Sequence, residues 1–222
     1  MKISVIVPTL NEEGLIADCL SDLVKNHAPD ELIVADGGSV DRTLEIASRF
    51  ARVLKTQRGR ALQMNKGAKE AKGDGFLFLH ADTKLPPKGL EMVRCLITKK
   101  MCQAGRFRMR FDQEDFLLRL YSYHTRFHCF SYGDQAFFLT RNIFEEMEGF
   151  SERVPFEDID FYKRLRKLTR PLIIKSPVTT SARRFLKVGK LHQKWINLAL
   201  VSLYYLGVDV LPFKEKVYQD VR

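Results

Sequence analysis

The run Phe76-Leu77-Phe78-Leu79-His80-Ala81-Asp82 is an apolar stretch that stops on a carboxylate. Read as a strand, it puts Asp82 at the rim of a sheet, where an acid can hold a divalent cation against a diphosphate. His80 lies two residues earlier and shares that side of an extended chain. An isolated acid at a strand end is usually a turn residue; what sets Asp82 apart is the company it keeps. Asp36-Gly37-Gly38-Ser39 follows another apolar run, with glycines that allow a tight turn. Asp36 there could accept a hydrogen bond from a ribose hydroxyl or a base N–H. Arg58 and Arg60 precede a helical stretch, where the helix dipole favours anions and Arg suits a bidentate contact to phosphate or a base carbonyl. A solvated basic turn would carry the same residues. Neither a GxGxxG fingerprint nor a GxxxxGK[ST] phosphate loop occurs in the chain.

The second half has its own polar clusters. Gly133-Asp134-Gln135 precedes an aromatic strand, and Phe156-Glu157-Asp158 opens a helix with Tyr162, Leu165 and Leu168 on its apolar side. Acids in a first helical turn are favoured by the dipole alone; a general base needs one of them to face a pocket while charged. Ser181, Arg183 and Arg184 form a basic loop that could also close over a diphosphate. Pro8 and Thr9 end the first apolar run and could line a base pocket, while Asn11, Glu12 and Glu13 read as an N-cap and two dipole-facing acids. His124 and His128, four apart, lack the HExxH context or partner cysteines of a metal site and read as core or surface residues.

The elements that must position these groups alternate. Strands are expected at 3–8, 32–36, 51–56 and 75–82, with helices from about Glu12, Asp41 and Arg60 between them. Strands this continuously apolar belong to a parallel sheet covered on both faces, whose ligands sit beyond the strand C-termini. After residue 100 the pattern changes. Arg106, Arg108 and Arg110 alternate with Phe107, Met109 and Phe111, predicting a strand with one buried and one basic face. A helix over 113–129, a strand near 135–140, a short helix near 142–148, a helix from Glu157, a strand at 171–175 and an apolar helix from Lys190 to Leu206 complete the series.

The composition fits a globular protein: 222 residues, 45% hydrophobic, with 37 Lys+Arg against 27 Asp+Glu for a net charge of +10. Disorder and low-complexity repeats are excluded. Four scattered cysteines without a CxxC pair argue against a disulfide framework and for a reducing, cytoplasmic setting. The N-terminal apolar run is too short for a signal peptide, and no stretch reaches the roughly 18 residues of a spanning helix. The apolar segment Trp195–Val208, preceded by Lys187, Lys190 and Lys194, admits two readings: a core-covering helix, or an interfacial one at the inner face of a membrane. Nucleic-acid binding has little to support it.

Together IVPTLNEE (6–13), IVADGGSVDRT (33–43), RGRALQMNKGAKEAKGD (58–74), FLHAD (78–82), GDQ (133–135) and FEDIDFYKRLR (156–166) resemble a family 2 glycosyltransferase of the GT-A fold. SARRF (181–185) with an apolar tail is similar to a small bacterial subgroup. The resemblance implies an α/β fold with a Rossmann-like, mostly parallel sheet flanked by helices and a C-terminal helical tail. It also implies a single domain over 1–222: a nucleotide-sugar half to about 100, an acceptor half over about 101–185, and a tail over about 186–222. It implies a nucleotide-diphosphate-sugar donor held by Pro8, Thr9, Glu12, Asp36 and Arg60, with Arg183 and Arg184 closing over the diphosphate. Gly133, Asp134 and Gln135 fall on the acceptor side. Asp82 stands at the second acid of the family's DxD motif and would bind Mg2+ or Mn2+; His80 replaces the first acid, and imidazole ligation would favour Mn2+. Asp158, beside Glu157, matches the general base of an inverting transfer to a hydroxyl acceptor, possible carriers of which include a lipid. Two competitors share parts of this pattern. A nucleotidyltransferase commonly has a Gly-rich basic loop after its first strand, where this chain has PTLNEE; a non-catalytic basic membrane or nucleotide-binding module is compatible with His80 in place of an acid.

Overall fold

The computed structural model describes residues 1–208 and 210. Its centre is one eight-stranded sheet. Strands β1 (Ile3–Thr9), β2 (Glu31–Asp36), β3 (Arg52–Lys55), β4 (Gly75–Phe78), β5 (Thr83–Lys84), β6 (Ala104–Phe111), β7 (Phe138–Thr140) and β8 (Leu172–Thr180) lie in the order β3-β2-β1-β4-β7-β6-β8-β5. The first four neighbours in that order are parallel, as the alternation predicts. β7 then enters antiparallel between β4 and β6, β8 runs parallel to β6, and β5 is antiparallel to β8. The sheet is therefore mostly parallel, with β7 joining two parallel blocks.

Helices cover both faces. β1 alternates: Ile3, Val5 and Val7 pack with α1 (Ile16–Asp22) and α4 (Gly89–Thr98), whereas Ile6 packs with α3 (Arg60–Glu70). α6 (Arg141–Glu146) and α7 (Glu157–Leu168) join α3 on that second face through Phe144, Phe161 and Leu165. Each strand residue points to one layer or the other, so both sets are apolar. α3 approaches β1 so closely that a Cβ at Gly67 would lie 2.5 Å from Ile6 Cγ2.

Four expectations change. The first helix begins at Ile16, not near Glu12, because Asn11 adopts φ 53° and turns the chain toward the β2 loop. α2 (Thr43–Ala47) likewise starts two residues late. The helix expected over 113–129 is α5 (Phe116–Tyr123), capped by Asp115, and a 3-10 turn at His124–Arg126 ends it. The basic face of β6 is not solvated throughout: Arg106 is fully buried, and its guanidinium donates to the Thr125 and Phe127 carbonyls at 2.8 and 2.7 Å beside the Tyr162 ring. α8 (Arg183–Val188) and α9 (Lys190–Tyr205) form the tail. Leu200 and Tyr204 of α9 pack on Phe156 and Ile159, so one side of this helix does cover the core. All four cysteines are free thiols, and among the described residues no helix is long and apolar enough to cross a membrane.

Candidate active site

The C-terminal ends of β1, β2 and β4 lie along one edge of the sheet because these strands are parallel. At the β1 and β2 ends the loops brace one another. Asn11 N–H donates to Ser39 Oγ and Asn11 Oδ1 accepts from Val40 N–H; Glu12 and Glu13 N–H donate to Thr43 and Asp41. Asn11 is thus a loop latch where an N-cap was expected. Beneath them Thr9 is buried, its hydroxyl 3.1 Å from Asp36. Asp36 is also fully buried and accepts from Thr9 Oγ1, Ser39 Oγ, Gly38 N–H and Ser39 N–H. Those four bonds use the acceptor directions of a carboxylate. Asp36, expected to meet a nucleoside directly, here shapes the Gly37–Ser39 turn instead. Pro8 lies buried in β1 opposite Ala35. Gln63, which the sequence did not single out, donates from Nε2 to both the Thr9 and Ala35 carbonyls at 2.6 and 2.8 Å and ties α3 to the two strand ends.

Beyond β4, Asp82 sits in a tight turn closed by the Thr83 N–H to His80 carbonyl bond. The short β5–β8 ladder brings Ser181 alongside, its N–H donating to the Asp82 carbonyl. That pairing explains how Arg183, a hundred residues away in the chain, comes to lie 3.8 Å from the Asp82 carboxylate while its Nη2 donates to both Glu12 carboxylate oxygens at 2.8 Å. The acid, the arginine and the β1 loop therefore share one wall.

The opposite wall comes from the 3-10 turn Gly133–Gln135 and the start of α7. Gly133 N–H donates to Asp158 Oδ2 at 2.8 Å, and Asp158 Oδ1 accepts from the Ile159 N–H. His80, 9% exposed, turns its Nδ1 to Asp134 at 3.2 Å and packs the rest of its ring on Gly133, where a Cβ would come within 2.9 Å of Nε2. His80, expected beside Asp82 as a metal ligand, is therefore engaged with Asp134 and Gly133. A small cavity lined by Arg60, His80, Gly133, Glu157 and Asp158 lies at this junction. Gln135, expected on the acceptor side, is buried; its Nε2 donates to the Phe130 carbonyl and holds the preceding loop.

Arg60 stands between the walls. Its guanidinium is 3.9 Å from Glu157, and although removal from water disfavours its charge, Glu157, Asp134, Asp158 and Asp82 hold its pKa above the usual arginine value. Glu157 is buried beside it. For Asp134, removal from water would raise the pKa, but the hydrogen bond and charge of His80, with Arg60 and Arg184, hold it down to about 2. The cleft thus carries fixed charges of both signs within one assembly. His124 and His128 form no metal pair: the helix ends between them, and His128 Nδ1 meets the Tyr162 hydroxyl at 2.7 Å.

Among the described residues no three His, Cys, Asp or Glu side chains are grouped to hold a metal ion unaided. Asp82, partly exposed in the cleft, offers the hard oxygen donor that Mg2+ or Mn2+ takes alongside substrate phosphates and water. Sequence patterning singled out Asp82, Arg60 and Asp158 but passed over Gln63 and put Arg106 on a basic face; a glutamine on an otherwise apolar helix face and an arginine following the close-packed Gly105 were the available signals.

The model of Glycosyl transferase family 2 matches residues 4–173. The PGL/p-HBAD biosynthesis glycosyltransferase of Mycobacterium tuberculosis is 40% identical over an alignment of 91 positions that covers 37% of this chain and 36% of that protein. The chain thus matches about a third of the length of those curated relatives. Among solved structures, S. aureus TarS 1-349 in complex with UDP-GlcNAc superposes with a TM-score of 0.69 at 20% identity, over 98% of this chain and 70% of that 1–349 chain. The mannosyltransferase PcManGT from Pyrobaculum calidifontis, in complex with GDP-Man and Mn2+, gives 0.68 at 20% identity over 90% of this chain and 61% of that one. At such identities the likeness is one of fold.

Proposed function

The chain belongs to glycosyl transferase family 2, and from that premise we propose that it transfers a sugar from a nucleotide-diphosphate-sugar to a hydroxyl acceptor, with inversion, in the cleft between Asp82 and Asp158. The observation that supports this reading is that both carboxylates act on one arginine: Arg60, 3.9 Å from Glu157, has its charge favoured by Asp158 and Asp82 alike. Displacing a nucleoside diphosphate builds negative charge on the leaving group, and the acceptor hydroxyl must lose a proton as it attacks.

The roles follow from position. Thr9, Pro8 and the Asp36-shaped turn form the floor for the nucleoside. Asp82 holds Mg2+ or Mn2+, which when bound supplies Lewis-acid stabilisation of the diphosphate. Arg183, released from Glu12, and Arg184 meet the same charge from the β8 side, and Arg60 is steered by Glu157. Asp158 takes the acceptor proton: Gly133 N–H donates to its Oδ2 and Ile159 N–H to its Oδ1, which fixes the carboxylate at the start of α7. An in-line attack on the face opposite the leaving group inverts the anomeric centre. His80 acts through others, with Asp134 fixing its ring, its ring setting Gly133, and Gly133 orienting Asp158. The acceptor is a hydroxyl compound whose carrier is lipophilic or lipid-linked, entering from the Gly133–Gln135 side. The domain is single, with the donor half to about residue 100 and the acceptor half over about 101–185.

A thermal-shift panel of UDP-, GDP- and dTDP-sugars with and without Mn2+ tests the reading. Selective, Mn2+-dependent stabilisation is expected for one nucleotide, and it should be lost in Asp82→Asn. Equal, metal-indifferent shifts for all donors would refute it.

A further inference from the structure

Two helices of the acceptor half turn apolar residues outward. On α5, Phe116, Leu120 and Tyr123 recur at helical spacing and all are exposed, Phe116 by 77%; Phe127 extends the stripe. On α9, Leu191, Trp195 and Leu198 do the same, Trp195 by 68%. Meanwhile Gln193 is buried and donates to Asn197. A helix facing water arranges these the other way round, with its polar residues outward. The two helices are joined: Lys190 Nζ donates to Asp115, the N-cap of α5, at 2.6 Å, and Lys194 Nζ lies 4.7 Å from the Tyr121 ring. Between them runs a groove of about 450 Å³ lined by Leu117, Phe185, Leu186 and Leu191.

Along the two helices themselves the charge has one sign; the acids Asp112, Glu114 and Asp115 lie just ahead of α5, and Asp115 is paired with Lys190. No acid occurs from Phe116 to Tyr132 or from Arg183 to Val208, while Arg119, Arg126, Lys187, Lys190 and Lys194 do. A second copy of such a face would be repelled. An anionic bilayer surface matches both properties at once, since apolar side chains enter the acyl boundary and cations meet the headgroups. We propose that α5 and α9 together form a docking face for an anionic membrane surface. Phe116, Leu120, Leu191 and Trp195 are its inserting residues, and Arg119, Arg126 and Lys187 its headgroup contacts. α5 leads through the His124–Arg126 turn to Gly133 and Asp134, so a lipid-borne acceptor, which rests on the transferase reading, would arrive on the Asp158 side.

Trp195 is the only tryptophan of the chain and reports on the face directly. The full chain is mixed with vesicles of phosphatidylcholine alone and of phosphatidylcholine with phosphatidylglycerol in equal parts. Its fluorescence and sedimentation are followed, with donor thermal shifts on the same samples. Expected are a blue shift and sedimentation with the anionic vesicles only. Leu120→Glu with Leu191→Glu should weaken binding more than tenfold while keeping the donor shift, which also shows that the variant folds. Arg119→Gln and Lys187→Gln should each cost about fivefold, an effect lost in high salt. An unmoved Trp195 spectrum with anionic vesicles, equal binding to neutral ones, or self-association abolished by the double glutamate variant would overturn the proposal. Failure of docking with the donor shift intact leaves the transferase reading standing; docking without any donor shift would do the reverse.

Discussion

Around Asp36 the anchors are neighbouring loop groups: backbone N–H groups and short hydroxyls of the next turn fill its lone pairs, and Gln63 pins the strand ends from below. Asp158 itself is held by the Gly133 and Ile159 N–H groups, but the segment leading to Gly133 is anchored by long side chains reaching from other elements. Arg106 crosses from β6 to hold the carbonyls of residues 125 and 127, Gln135 holds that of Phe130, and His128 meets Tyr162. The Asp36 side is therefore built by the sheet itself, whereas the segment before Gly133, which the proposed function makes the acceptor side, is suspended from a few buried polar contacts. A parallel sheet supplies the first arrangement wherever its strands end, and the second can vary without disturbing it.

The largest effect expected from breaking one half alone is that of Asp158→Asn. Loss of a general base should lower kcat by about a hundredfold to ten-thousandfold, with donor affinity by titration calorimetry unchanged. Next come the two buried anchors. Arg106→Met leaves two buried carbonyls without a donor and should cost about 2–4 kcal/mol in urea unfolding. It should raise the acceptor KM while sparing donor binding. Gln63→Leu, its counterpart in the donor half, should cost about 2 kcal/mol and weaken donor binding while sparing the acceptor KM. If both variants shifted both constants alike, the division would fail.

A smaller effect sharpens the acceptor side. The Asp134 carboxyl is held at about 2 against an ordinary 3.8, so its ionised form stabilises the fold above about pH 4, and that contribution disappears as pH falls through its folded value. Because the group is partly solvated, Asp134→Asn should cost on the order of 1 kcal/mol at neutral pH. The gap to wild type in thermal unfolding should close between about pH 4 and pH 2. The smallest effect belongs to the exposed Glu12–Arg183 pair: Arg183→Gln should change stability by less than about 1 kcal/mol, while its cost to donor affinity is the larger signal.

Most of the first half was legible in the sequence because apolar runs, helix starts and strand-end acids obey local rules. β1 to β3 and α3 fall where periodicity puts them, whereas the strand expected over 75–82 stops at Phe78 and leaves Asp82 in the turn beyond it. Asn11 was not legible as a latch, since its left-handed backbone depends on Ser39 and Val40 in another loop. Arg106 looked like a surface cation because alternation records which side a residue faces, not what covers that side. His80 sits two residues from Asp82, yet its partners, Asp134 and Gly133, come from a turn more than fifty residues on. Arg183 reaches Asp82 only through the β5–β8 ladder. Each of these depends on non-local pairing, which spacing along the chain does not carry.

The most direct test of separate duties for the two opposing carboxylates is titration calorimetry of the donor, with and without Mn2+, run beside turnover for Asp82→Asn and Asp158→Asn. Asp158→Asn should bind donor with wild-type, Mn2+-dependent affinity and fail to turn over, and Asp82→Asn should lose the Mn2+ dependence. Full turnover by Asp158→Asn, or unchanged Mn2+-dependent binding by Asp82→Asn, would contradict it.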